Sequence, residues 1–149
     1  MENEITTSYA DYFSAYEIRS EFQKEYISLF KGWLGKINLH KLDEVTENEW
    51  KKFNELISLI HEQHKILVAD CSSELLSMPT GLGQLLQTYI ESENKESKDF
   101  LKIVLPELQC VLTEEWDYTY IIWHKNNGAV ERLKPLIETV QLYSWSDRT

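Results

Sequence analysis

The stretch "LQCVLTEEWDYTYIIW", residues 108–123, decides how the fold is read. Tyr, Thr, Ile and Trp favour extended backbone, and helices seldom take them in such a run. The stretch therefore reads as an antiparallel hairpin with Glu114, Glu115 and Asp117 gathered around Trp116. A helix from Glu107 to His124 is the rival reading, opposed only by propensity. In a strand, Trp116, Tyr118, Tyr120 and Ile122 share one face, while Asp117, Thr119, Ile121 and Trp123 share the other.

Upstream, helical patterns dominate. In "YADYFSAYEIRSEFQKEYISLFKGWLGKI", Phe22, Tyr26, Leu29, Phe30, Trp33, Leu34 and Ile37 keep three- and four-residue spacing, and Tyr9, Tyr12, Phe13 and Tyr16 do the same. That spacing predicts a long helix or two in series, with Ser8 or Ser14 as candidate caps. "VTENEW" predicts a sharper start: Thr46 and Glu49 form a capping box, and Val45 staples onto Trp50. From there Trp50, Phe53, Ile57, Ile60 and His64 form an apolar stripe. Leu67, Cys71 and Leu75 extend it at four-residue spacing, which favours continued helix over a strand at "KILVA".

Pro79 and Gly81 break the chain, and Thr80 caps a short amphipathic helix carrying Leu82, Leu85, Leu86, Tyr89 and Ile90. "ESENKESKD" reads as a solvated turn, and "KDFLKIVL" as a brief helix ending before Pro106. "HKNNG" is a turn with Gly128 free to take positive φ. The final helix, "AVERLKPLIETVQLY", buries Val130, Leu133, Ile137 and Val140 and contains Pro135. "SWSDRT" reads as a loose tail. The expected class is α+β, helix-dominated, with a small antiparallel hairpin or sheet near the C-terminus; an all-α bundle is the alternative.

The chain has 149 residues, the size of a single domain spanning 1–149, and needs no disulfide or structural metal to bury a core. Acids outnumber bases by 25 to 15, giving a net charge of −10. Such a field repels phosphate backbones and anionic lipids, so nucleic acid and membrane partners are not expected. It attracts cations and basic proteins. The start "MENEITTSYADY" lacks the apolar core of a secretory signal, no apolar run has the length of a membrane span, and there are two cysteines. A cytoplasmic location is the expectation.

Motifs for catalysis are weak. His61 and His64 lie three apart, not at the four-residue spacing of the zinc-binding H-E-x-x-H, and no third ligand is evident. Cys71 sits among acids, which disfavours a thiolate, and Cys110 lies in an apolar strand candidate. "MPTGLGQ" has too few glycines for a phosphate cradle, and no G-x-S-x-G is present. No cofactor or metal is expected, and catalytic residues are not assigned.

The charge map points to binding instead. Between Ile103 and His124 the chain has Glu107, Glu114, Glu115 and Asp117 without one Lys or Arg. From Ile66 to Asn94 it has Asp70, Glu74, Glu91 and Glu93, again without a base. Acids threaded with aromatic rings suit the cleft of a basic protein, where carboxylates replace phosphates and rings replace bases. The expected partner surface is Glu114, Glu115, Trp116, Asp117, Tyr118, Tyr120 and Trp123. The expected function is an inhibitor or immunity-type protein neutralising a basic partner such as a nuclease toxin. Two alternatives stand beside it: a small hydrolytic or metal-dependent enzyme using His61, His64 and nearby carboxylates, and a self-associating scaffold.

Overall fold

The computed structural model describes residues 8–31, 39–86, 96, 100–115 and 118–146. Nine strands and two α-helices are present among them. The strands are β1 (Phe13–Ser14), β2 (Glu17–Ile18), β3 (Gln23–Ser28), β4 (Leu67–Asp70), β5 (Leu75–Ser77), β6 (Lys102–Leu105), β7 (Cys110–Glu115), β8 (Thr119–His124) and β9 (Tyr143–Trp145). The helices are α1 (Glu47–Gln63) and α2 (Asn127–Thr139). β1 and β2 form a small hairpin, and the other seven strands form one sheet in the order β5-β4-β6-β7-β8-β3-β9. Every pairing in it is antiparallel. The helix-dominated expectation and its all-α alternative are therefore both wrong: the sheet is the frame, and two helices cover one face of it.

β7 and β8 form the expected hairpin, with Val111 opposite Trp123 and Glu115 opposite Thr119. The hairpin is no appendage. β6 flanks it on one side and β3 on the other, which places it at the middle of the sheet.

Three expected helices are strands instead. Four residues is close to one helical turn but also two full strand periods. Phe22 and Tyr26 have a spacing that suits both readings, whereas Leu67 and Leu75 lie on separate strands joined by a turn that contains Cys71. Cross-strand pairing resolves the tie. β3 lies between β8 and β9, so both its edges are hydrogen-bonded. Past α1 the backbone turns extended at His64 (φ −137°), and the β-branched run enters β4 beside β6. "KIVL" is β6 for the same reason, buried at three of its four positions. Tyr143–Trp145 is the edge strand β9, rather than the end of the final helix at Tyr143 and a loose tail from Ser144.

The Thr46 boundary is as the sequence indicates. Glu49 N–H donates to Thr46 Oγ1 (3.2 Å) and Thr46 N–H donates to Glu49 Oε1 (3.0 Å). From there α1 buries Trp50, Phe53, Leu56, Ile57 and Ile60, and each such side chain contributes roughly 1.5–3 kcal/mol. α2 buries Val130, Leu133 and Ile137 as expected, with Pro135 inside it. Gly128 lies in the first turn of α2 and takes no positive φ; its N–H donates to the Asn126 side chain at 2.9 Å. Leu82–Gln84 is a single 3-10 turn that ends at Leu85, and Leu86 is not helical, so the helix expected there is not formed at these positions; Tyr89 and Ile90 lie outside the described residues, as does nearly all of "ESENKESKD".

The sheet thus has two cores. On the helix side, Ile27, Ile103, Leu105, Cys110, Leu112, Tyr120 and Ile122 meet α1 and α2. On the other side, Tyr9, Tyr12, Phe13 and Phe22 of the N-terminal segment cover Leu67, Val104 and Val111. Tyr9 stacks on Phe13 with ring centroids 4.5 Å apart. The aromatic spacing near the N-terminus therefore serves a cap over the sheet, not a helix face.

Candidate functional site

The strand period separates the expected partner residues. Tyr120 points to the helices, is 5% exposed and stacks on Phe53 at 5.0 Å. Glu114 shares that face and is 4% exposed; its Oε1 accepts the Leu101 N–H at 2.9 Å, so it ties the approach to β6 onto β7. Tyr118 makes the β7–β8 turn with φ 57° and packs against the helix-side core. Trp116 and Asp117 lie outside the described residues. Only Glu115 and Trp123 share the opposite face, both partly exposed.

Glu115 and Trp123 are linked through Thr113. The Trp123 indole N–H donates to Thr113 Oγ1 (2.9 Å), whose hydroxyl donates to Glu115 Oε2 (2.8 Å). The indole is thereby fixed in orientation. The surroundings are less acidic than the sequence window suggests. Lys102 pairs opposite Thr113 and Lys24 opposite Trp123, with Lys24 Nζ 5.0 Å from the indole ring. A window along the chain counts neighbours in sequence, whereas a sheet recruits neighbours from other strands.

The second base-free window begins at the other side of the sheet. β4 and β5 form a hairpin at the sheet edge, with Asp70 opposite Leu75 and Val68 opposite Ser77. The Asp70 carboxylate accepts the Ser72 N–H (2.9 Å) and the Ser73 N–H (3.4 Å), which fixes the turn. Glu74 follows in the left-handed region at φ 56°, its side chain exposed. Leu75 is 62% exposed and Met78 is 55% exposed. Leu76, between them, packs toward the N-terminal cap. Asp70, Glu74 and the exposed Leu75 therefore meet at the turn end of β5, Met78 lies just past its other end, and β5 pairs, among the described residues, with β4 alone. The sequence signal for this site was the base-free window from Ile66; treating β5 as helix hid the rest.

Other chemically capable groups are enclosed or engaged. His61 is exposed in the last turn of α1, whereas His64 Nδ1 lies 3.5 Å from Glu107 Oε1. The two histidines therefore do not converge, and no group of three or more His, Cys, Asp or Glu among the described residues is placed to hold a metal ion. Cys110 is fully buried, and burial pushes its thiol up to about 12. His124 is 1% exposed, and its Nδ1–H donates to the Asn126 carbonyl at 2.9 Å. A cleft of about 410 Å³ between the N-terminal segment and the sheet holds Arg19, Lys125, Asp11 and Glu21. Glu21 Oε2 takes both cations, Arg19 at 2.8 Å and Lys125 at 3.7 Å, and Arg19 holds the Glu21 carboxyl below the usual carboxylate range.

The architecture is an antiparallel α+β sheet, helices on one face and an aromatic N-terminal cap on the other, with an open acidic edge. Protein-family models, curated proteins and solved structures gave no match to this chain. No helix among the described residues is long and apolar enough to cross a membrane.

Proposed function

We propose that this chain is an acidic protein-binding module, of the inhibitor or immunity type, that neutralises a basic protein partner such as a nuclease. The observation that carries this reading is the β4–β5 edge, where Glu74 and Asp70 lie beside the exposed Leu75 and the exposed Met78 follows the strand. Exposed apolar side chains rimmed by charge are the usual make-up of a recognition surface. The net charge of −10 steers a cationic partner toward it and repels nucleic acid competing for the same partner. Glu115 and Trp123 form a smaller, secondary contact on the adjoining sheet face, since Lys24 and Lys102 offset the acid there.

The experiment is co-expression with the products of the flanking genes, followed by titration of any nuclease activity among them. The expected result is a stable complex in which the activity is lost and restored as salt rises. A flanking basic enzyme that stays free and fully active at low salt overturns the proposal.

A further inference from the structure

Resting on that reading, we infer that the partner engages the β5 edge by strand addition: an extended, basic segment pairs with Leu75–Ser77 as an eighth strand of the sheet. In an antiparallel sheet the edge strand turns one alternate set of N–H and C=O groups away from its neighbour. β5 pairs inward with β4 over Leu75, Leu76 and Ser77, and its burial pattern leaves the two end positions exposed. Its start is fixed by the Asp70 turn and its end by Pro79, which has no N–H to offer, so the template spans about 10 Å. Main-chain pairing supplies attachment without regard to sequence, and side chains at alternate positions supply selectivity.

Charge selects the occupant. The exposed Glu74 directly precedes the strand, Asp70 faces Leu75 from β4, and no Lys or Arg occurs along the chain between Ile66 and Asn94. Each copy of this chain carries a net charge of −10, which disfavours edge-to-edge pairing with a second copy, whereas a strand carrying Lys or Arg beside apolar residues meets opposite charge at Glu74 and the exposed Leu75.

The test uses a short acetylated peptide of alternating lysine and valine, with a glutamate–valine peptide as control, read by amide hydrogen exchange and chemical-shift changes on the full chain. The lysine peptide is expected to slow exchange at Leu75–Ser77, and the glutamate peptide is not. Glu74→Lys should weaken the lysine peptide by roughly fivefold or more, and Leu76→Pro should abolish its binding. Because Leu76→Pro disturbs β4 pairing as well, Ser77→Pro is the second variant, and both are checked for retained folding by circular dichroism.

Protection confined to another site, or binding indifferent to Glu74→Lys and to both prolines, overturns strand addition. Concentration-dependent protection of Leu75–Ser77 without peptide assigns the edge to a second copy and also overturns it. The binding function is tested apart: a cognate partner that is weakened by Glu74→Lys but tolerates a proline in folded β5 leaves the function standing and removes only the strand.

Discussion

The two edges of the seven-stranded sheet are built differently. β9 is fastened by its side chains: Trp145 stacks on Tyr26 at 4.8 Å, and its indole N–H donates to the Phe30 carbonyl at 3.3 Å. Beside it, Lys31 Nζ lies 5.7 Å from the Tyr143 ring, and the adjoining groove mixes Lys52 and Lys134 with Glu49 and Glu138. Among the described residues β5 shows no comparable fastening: Leu75 and Met78 lie open, and the exposed acid Glu74 precedes them. An edge strand with open apolar side chains is a hazard unless it is short, charged or occupied. β5 is short and acidic, which guards it against self-pairing and leaves it receptive to a basic strand. One edge closes the fold; the other is the one proposed to receive a partner.

Stability measurements sharpen this difference most. Trp145→Ala should cost about 2–4 kcal/mol, because it removes the Tyr26 stack and a bond across 115 residues of chain. Leu75→Ala at the opposite edge should change stability by no more than about 0.5 kcal/mol. Urea denaturation of both variants checks the contrast, and equal losses would mean that β5 is packed as tightly as β9. Away from both edges, Thr46→Ala should cost about 1 kcal/mol through loss of the α1 cap, measured in the same way, and should leave partner binding intact.

Glu74→Gly separates stability from binding at one residue. Glycine relieves the left-handed backbone at φ 56°, so thermal unfolding should show a gain of up to about 1 kcal/mol. The same change removes the exposed acid, so the variant should be more stable and bind a basic partner less tightly. The smallest effect is chemical. In the native protein a thiol reagent should label Cys71, which is partly exposed, and spare Cys110, whose thiol stays protonated well above neutral pH because burial raises it to about 12. Mass spectrometry should count one adduct before unfolding and two after.

The legible parts of the sequence were those where one reading had a local chemical reason. Thr46 and Glu49 supply two reciprocal bonds within one turn, so the start of α1 could be placed to the residue, though not its end. The 108–123 hairpin was legible because its strand formers lie in an unbroken run. The remaining strands were hidden by spacing that suits both periods, and also by the turns. Hairpins usually announce themselves by Gly or Asn at positive φ; here Ala15, Glu74, Gln109 and Tyr118 hold those positions. None of these reads as a turn signal, so β1–β2, β4–β5 and β6–β7 stayed invisible. The acid–aromatic surface was read as one patch because distance along the chain was used for distance in space. Once the strands are paired, Glu114 and Tyr120 turn inward, and Lys24 and Lys102 arrive from neighbouring strands.

The central claim is that the β5 edge, rather than net acidity in general, receives the basic partner. The direct measurement is the association rate of a cognate partner across a salt series, comparing Glu74→Lys at the β5 edge with Glu138→Lys beside β9. Both variants change net charge equally. The account predicts that Glu74→Lys slows association by roughly fivefold or more and flattens its salt dependence, while Glu138→Lys has a much smaller effect. Equal slowing by the two variants, or none by either, would contradict it.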